Sequence, residues 1–189
     1  MRITGGQYRG RIITVPKGKD IRPTSDKVRQ AVFNSLLQHG LPDGAQVLDL
    51  FCGTGVLGLE ALSRGAQFCT FIDKSPDSLR CCKQNVAALG LGAQCKVLHK
   101  DSTKLGEKAL NYLPADLAFL DPPYRQDLVL PTLMSVVKHG WLAAGALCVI
   151  EAEKETEIFV PEVFSLVSRK KYGDTQIVVI RYGRTASPE

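Results

Sequence analysis

A chain of 189 residues, 44% hydrophobic and 23% charged, can bury one well-packed α/β domain with a small appendage, and a second full domain within this length is not expected. No apolar run approaches a membrane span and the N-terminus shows no hydrophobic stretch followed by a cleavage site, so the sequence reads as cytoplasmic and not membrane-bound. The net charge of +5 is concentrated: residues 1–30 hold eight Lys and Arg against two Asp, while the remainder is balanced to within one charge, which excludes a uniformly basic surface and predicts a phosphate-binding handle at the N-terminus.

In chain order, the short alternating runs Arg2 to Thr4 and Arg11 to Val15, separated by Gly5-Gly6 and Gly10, predict a glycine-hinged β-hairpin that projects basic side chains. Arg9, Arg11 and Arg22 are its leading candidate phosphate contacts, with Lys17 and Lys19 as weaker ones. Thr24 or Ser25 can cap a helix whose apolar face uses Val28, Ala31, Val32, Ser35 and Leu36 and which ends near Gly40. From residue 46, apolar strands at 46–50, 68–72, 95–98, 116–120 and 146–151 alternate with helical stretches, the pattern of a parallel sheet covered on both faces. Two further strands, Ser165 to Arg169 and Gln176 to Tyr182, flank a Lys-Lys-Tyr-Gly-Asp turn and should pair antiparallel at one edge.

Around residue 50, a buried strand runs through Gly53-Thr54-Gly55 into a helix. Glycines there let the backbone approach a ligand without a Cβ penalty. Gly53, Gly55 and Gly58 also satisfy G-x-G-x-x-G, with Asp73 ending the next strand, so this stretch alone fits either a nicotinamide or an adenosyl cofactor. Two features favour the adenosyl one. Asp49 in the turn approach would oppose a pyrophosphate but could hold the ammonium of an amino-acid-bearing nucleoside. Asp101-Ser102, after the third strand, can receive an adenine amine, although Asp73 or Asp101 could instead simply cap the helix that follows.

Asp121-Pro122-Pro123-Tyr124 follows the apolar run Leu117 to Leu120, at a strand's carboxyl end, where α/β sheets bind ligands. Neither proline has an N–H, so the carbonyls of this corner are fixed acceptors. An exocyclic base amine has two donors to place: the Asp121 carboxylate could take one and a prolyl carbonyl the other. Tyr124 would lie against the base, or else pack beneath the turn.

VLDLFCGTG resembles the first motif of class I S-adenosylmethionine-dependent methyltransferases, and DPPY resembles the motif of enzymes that methylate exocyclic base nitrogens. RITGGQYRGR (2–11), RPTSDKVRQAVFNSL (22–36), GVLGLEALSRGA (55–66) and KYGDTQIVVIRY (171–182) are similar to the bacterial small-subunit ribosomal RNA guanine-N2 methyltransferase family, with Thr54 where serine is the more usual residue. The resemblance implies a Rossmann-like fold, with a mostly parallel seven-stranded sheet, an antiparallel edge and helices on both faces. Residues 1–40 would form an RNA-contacting extension and 41–189 the catalytic domain. It implies S-adenosyl-L-methionine as cofactor, and as target the 2-amino group of a guanine in 16S rRNA, within an assembled or assembling small subunit, handled by a monomer. The candidate cofactor contacts are Asp49, Phe51, Cys52, Gly53, Thr54, Gly55, Asp73, Lys74, Asp101 and Ser102, and the candidate catalytic residues Asp121, Pro122, Pro123 and Tyr124. The rival readings are a DNA adenine-N6 methyltransferase, a nicotinamide-dependent oxidoreductase and a noncatalytic RNA-binding assembly protein.

The remaining residues suggest structure. Six cysteines without a C-x-x-C pair read as reduced core thiols, and no metal site is expected. His39, His99 and His139 lack ligand spacing. Trp141 should pack where a helix meets the strand near 146, and the acidic run Glu151 to Glu157 reads as a solvated loop or helix start away from RNA.

Overall fold

In the computed structural model, which describes residues 1–15, 25–124 and 126–183, the central strands are the most apolar segments of the chain. β1 (Gln46–Leu50), β2 (Phe68–Asp73), β3 (Cys95–His99), β4 (Ala115–Leu120) and β5 (Leu142–Glu153) run parallel, and β6 (Phe164–Tyr172) and β7 (Thr175–Tyr182) complete a seven-stranded sheet of order β3-β2-β1-β4-β5-β7-β6. β7 is antiparallel to both its neighbours. Strand order reverses between β1 and β4, and the crevice at the carboxyl ends there is where such sheets bind ligands.

Successive residues feed opposite faces. Val47, Phe71, Phe119, Val149 and Ile177 join one buried cluster with α1 (Asp26–Leu37), α2 (Val56–Ser63) and α3 (Pro76–Leu89); Leu48, Ile72, Leu120, Ile150 and Val178 join another beneath α4 (Val129–Lys138). Ser25 is the cap of α1, its hydroxyl accepting from the Val28 N–H. Beyond the expected face, α1 also buries Phe33, which meets Phe119 at 5.6 Å between ring centroids, and Arg29.

Three expectations are corrected. β5 begins at Leu142, four residues before the expected 146, because the Trp141 carbonyl accepts from the Ala115 N–H and draws the weakly β-forming Leu142-Ala143-Ala144-Gly145 onto β4. Lys170 and Lys171 belong to β6, not to a turn, which shrinks to Gly173-Asp174 with Gly173 at φ 59°. The N-terminal hairpin is reduced to one bridge, Arg2 to Ile12, and does not project. Ile3 and Ile13 are buried in the first cluster, so this segment shares its core with the sheet.

What clasps it is the C-terminal half of α2. The Glu60 carboxylate, fully buried, accepts from the Thr4 and Gly5 N–H groups and pairs with Arg29 Nε at 3.2 Å and Arg64 Nε at 2.9 Å. Arg29 is itself buried and donates to the Arg2 carbonyl at 2.6 Å. It therefore leaves the pool of cations available to a ligand. Arg64 also covers the Phe33 ring at 4.9 Å. Further along, Asn85 joins the Thr14 backbone at both its N–H and its carbonyl, and donates to the Thr54 carbonyl.

Candidate active site

Strand register assembles the site. Leu50 is level with Ile72 and Leu120, and Leu120 with Ile150; the next residues, Phe51, Asp73, Asp121 and Glu151, therefore stand in one row at the carboxyl ends of four adjacent strands. Asp49 lies two rows below, level with Phe71 and Phe119. Past Ile72, Asp73 pairs with His99, two residues before Asp101.

The glycine loop is built around these carboxylates. Phe51 holds φ 60°, rare for an aromatic residue, and Gly53 and Gly55 hold φ 54° and 80°. A side chain at Gly55 would meet Cys82 Sγ at 2.7 Å, and one at Gly58 would meet Phe71 at 2.3 Å, so these glycines let the loop and α2 lie directly on α3 and β2. Cys52 is nearly buried, donating its N–H to the Ile72 carbonyl, and Thr54 is buried. Asp73 Oδ2 accepts from the Gly53 N–H at 2.9 Å and Oδ1 from the Ser75 N–H at 2.8 Å, pinning the loop to the start of α3. Lys74 is exposed and its carbonyl meets the His99 ring at 2.9 Å.

Asp49 decides which cofactor fits. It is 1% exposed and accepts the Gly58 N–H at 2.9 Å, so a carboxylate already occupies the N-terminal turn of α2. A dinucleotide would need that turn for its pyrophosphate. Burial pushes Asp49 up to about 8, against the lowering effect of the Gly58 N–H and with the Asp73 charge adding to the rise. Asp121 is raised well above the usual carboxylate range, by burial first and then by Glu151 and Asp49. A crevice with this much crowded acid favours a cation and rejects a polyanion. At its far side Asp101 caps the 3-10 turn Ser102–Lys104 by accepting from Thr103, which holds its carboxyl below the ordinary value. Beside it the Ser102 hydroxyl is buried with no hydrogen-bond partner among the described residues. An orphan hydroxyl next to a carboxylate suits the polar edge of an adenosyl group, so the residues present fit S-adenosylmethionine.

On the other side of Asp121 lies a cavity of about 290 Å³, lined by Pro122, Pro123, Tyr124, Glu151 and Glu153 together with Leu128, Ile158 and Phe159. That volume is at the lower limit of small-molecule pockets and suits a single base. Pro122 is buried and Pro123 exposed. Tyr124 is half-buried, its hydroxyl 3.3 Å from Thr175 Oγ1 on β7, which anchors the ring at the cavity edge rather than beneath the turn. The wall opposite is fixed by Gln176, whose amide donates to the carbonyls of Glu153, Lys154 and Thr156 at 2.9, 3.3 and 2.6 Å. Glu151 and Ala152 are buried strand residues. This corrects the reading of the acidic run as a wholly solvated segment; the alternation Ile150, Ala152 running on from Val149 was the signal available.

The cations divide. Arg9 and Arg11 are exposed but sit on the segment held against Ser63 and the end of α3, where Arg11 donates to the Ala88 carbonyl at 3.3 Å. The eight residues of α2 span about 12 Å, so these two lie toward the opposite end of the sheet from Asp121. Lys17, Lys19 and Arg22 lie outside the described residues. Arg169, Lys170 and Lys171, which the sequence reading passed over, are exposed on edge strand β6, and Lys170 pairs through Ile177 with Glu151. Two strand spacings put its backbone about 10 Å from Glu151.

Other groups are structural. All six cysteines are free and buried. His139 meets Glu107 at 3.2 Å, and Trp141 is buried with its ring N–H on the Gly106 carbonyl at 3.0 Å. Among the described residues no cluster could hold a metal ion, and no helix is long and apolar enough to cross a membrane.

Comparison with known proteins bears on this site. The model of the family Conserved hypothetical protein 95 matches residues 1–181. The chain is 38% identical to ribosomal RNA small subunit methyltransferase D of Escherichia coli, over 100% of this chain and 92% of the relative, and 32% identical to the protein of the same name from Haemophilus influenzae, over 92% and 89%. A solved Escherichia coli structure superposes with a TM-score of 0.83 at 36% identity, covering 97% of this chain and 98% of that one. The carboxylate-lined crevice, the DPPY corner and these full-length matches agree: the chain belongs to the Conserved hypothetical protein 95 family, that of the small-subunit ribosomal RNA methyltransferases D, within the class I S-adenosylmethionine-dependent methyltransferases.

Proposed function

We propose that this protein methylates the exocyclic 2-amino group of a guanine in small-subunit ribosomal RNA, using S-adenosylmethionine. The observation that carries the reading is the position of Asp121-Pro122-Pro123, at the carboxyl end of β4 between a crevice suited to a cationic nucleoside and a cavity the size of one base.

S-adenosylmethionine, when bound, supplies a methyl group on a sulfonium. Asp49 would hold its ammonium end, Asp73 its ribose hydroxyls, and Asp101 with Ser102 its adenine amine. The work of Asp121 lies on the acceptor. Guanine's amino lone pair is delocalised into the ring, and accepting one N–H at Asp121 and the other at a carbonyl of the Pro122-Pro123 corner helps the nitrogen pyramidalise. Positive charge then grows on that nitrogen, and a carboxylate beside it stabilises the transition state more than the neutral ground state. Raised above its ordinary range, Asp121 is also a better acceptor for the proton that the methylated nitrogen releases. Holding the amine in line removes roughly 7 to 11 kcal/mol of barrier when alignment is complete. Tyr124 would offset the few kcal/mol needed to unstack the base.

Arg169, Lys170 and Lys171, at the acceptor end of the sheet, and Arg9 and Arg11, on the clasped N-terminal segment, would contact phosphates without reading sequence. A ribosomal substrate places that action in the cytoplasm. The test is transfer of labelled methyl from S-adenosylmethionine to small subunits from cells lacking this activity, followed by mass mapping of the modified nucleotide. N2-methylguanosine at one position is the expected product; methylation of adenine, or none, refutes the reading.

A further inference from the structure

We infer that Phe159 is a stacking platform for the nucleotide next to the target guanine, and so holds the RNA strand open while the acceptor base occupies the cavity. The inference rests on the methyltransferase reading and deepens it, by naming what the mouth of that cavity touches. Phe159 is 64% exposed although it lines the same cavity as Pro122, Pro123 and Tyr124, so it stands at the rim, between the recess and solvent. Its neighbours make this a held position. Ile158 is buried and Val160 packs against the same cluster beneath α4, which leaves the residue between them the outward direction. The Thr156 N–H donates to the Glu153 carbonyl at 3.0 Å and the Phe164 N–H to the Pro161 carbonyl at 2.8 Å, tying the segment down on both sides.

The rim is apolar where the recess meets solvent. Leu130, 40% exposed, lines the cavity from α4, Met134, 50% exposed, follows one turn further along the same helix face, and Pro123 is exposed at the DPPY corner. Continuity with the base-sized cavity selects the occupant. A guanine turned into the cavity leaves its strand, and the nucleotide joined to it by the same backbone follows to the mouth with one face uncovered. An aromatic ring waiting there replaces the lost stack, and does so for any base, because every base has a π-face. Tyr124 thus receives the target and Phe159 its neighbour. A ring on a segment already tied down gives up little conformational freedom when the base arrives.

The experiment removes the stack from each partner in turn. Wild-type enzyme, Phe159→Ala, Phe159→Leu and Phe159→Trp are compared on small subunits reconstituted with unaltered rRNA, or with rRNA carrying an abasic ribose on the 5′ or the 3′ side of the target. Phe159→Ala should lower kcat/KM by roughly fivefold to 150-fold, the range for one aromatic–base stack. Phe159→Leu, which keeps apolar bulk without a π-face, should lose most of the same, and Phe159→Trp should stay within about threefold of wild type. Affinity for S-adenosylhomocysteine should stay within about threefold throughout, because the crevice lies on the other side of Asp121 from this rim. On wild-type enzyme an abasic ribose on one side should cause a loss comparable to that of Phe159→Ala, and Phe159→Ala should add nothing to it. Losses that multiply would overturn the inference, as would wild-type enzyme indifferent to both abasic positions, a result that needs no variant to fold. So would Phe159→Leu as active as wild type, the mark of an apolar contact with protein. Absence of methyl transfer by wild-type enzyme to unaltered subunits would instead overturn the proposed function.

Discussion

Replacing Asp49 with Asn should stabilise the protein without ligand and disable it with ligand, because the fold buries an acid for a cation's benefit. Asp49 is 1% exposed and its carboxyl is pushed up to about 8 from 3.8. Between those two values the folded chain keeps a proton that the unfolded chain releases, so the destabilisation grows as pH rises through that window and levels off above it. At about 1.4 kcal/mol per pH unit, the cost is about 2 kcal/mol at pH 5 and about 4 kcal/mol at pH 7. Asp49→Asn removes the titration while keeping an oxygen for the Gly58 N–H, so its gain has those values as upper bounds. For a chain of this length each kcal/mol moves Tm by roughly 2 to 4 °C. Melting curves of parent and variant at pH 5 and pH 7 measure the difference, to which the relief of Asp121, raised in part by Asp49, adds in the same direction. Calorimetry with S-adenosylhomocysteine should show affinity reduced at least tenfold. A gain in Tm that is the same at both pH values, or undiminished ligand affinity, would refute the reasoning.

Three other perturbations separate stability, chemistry and RNA contact. Glu60→Gln removes the buried one of the two carboxylates paired with Arg29, leaving Asp26 at 2.8 Å, and should cost up to about 3 to 5 kcal/mol, a fall in Tm of up to roughly 20 °C; a drop of less than about 2 °C would mean that the pair contributes little. Asp121→Asn should lower methyl transfer at least a hundredfold while S-adenosylhomocysteine still binds, and near-normal turnover would remove Asp121 from the mechanism. Lys170→Ala with Lys171→Ala, and separately Arg9→Ala with Arg11→Ala, should each reduce the slope of log K for RNA against log salt by about 1.4 to 1.8; an unchanged slope excludes that pair as phosphate contacts.

Much of this architecture is written in local patterns. Val47 and Leu48 with Leu50, and Leu117 to Leu120 without a break, are apolar on successive residues, which only a strand covered on both faces tolerates, and the spacing of Gly53, Gly55 and Gly58 announces the turn into α2. Asp73 and Asp121 could be read before their geometry was known because each follows its apolar run directly. Pairings across long separations could not. Arg29 counts in sequence as one more cation of a basic arm, with Asp26 three residues before it, yet its buried partner Glu60 lies 31 residues away on another helix, and that pairing makes it an interior charge. Glu151 was obscured in part: Val149, Ile150 and Ala152 around it hint at a strand that continues, but its pairing with Ile177 on β7 is what buries it among the acids of that run. The clasp of Thr4 and Gly5 by Glu60 likewise depends on where two distant segments meet.

One amide on β7 bears on how a base is received. Gln176 gathers the carbonyls of Glu153, Lys154 and Thr156 to a single nitrogen, so the turn beside the DPPY corner is already set before any guest arrives. A recess shaped in advance spends little binding energy on rearrangement and keeps more of it for telling one purine from another.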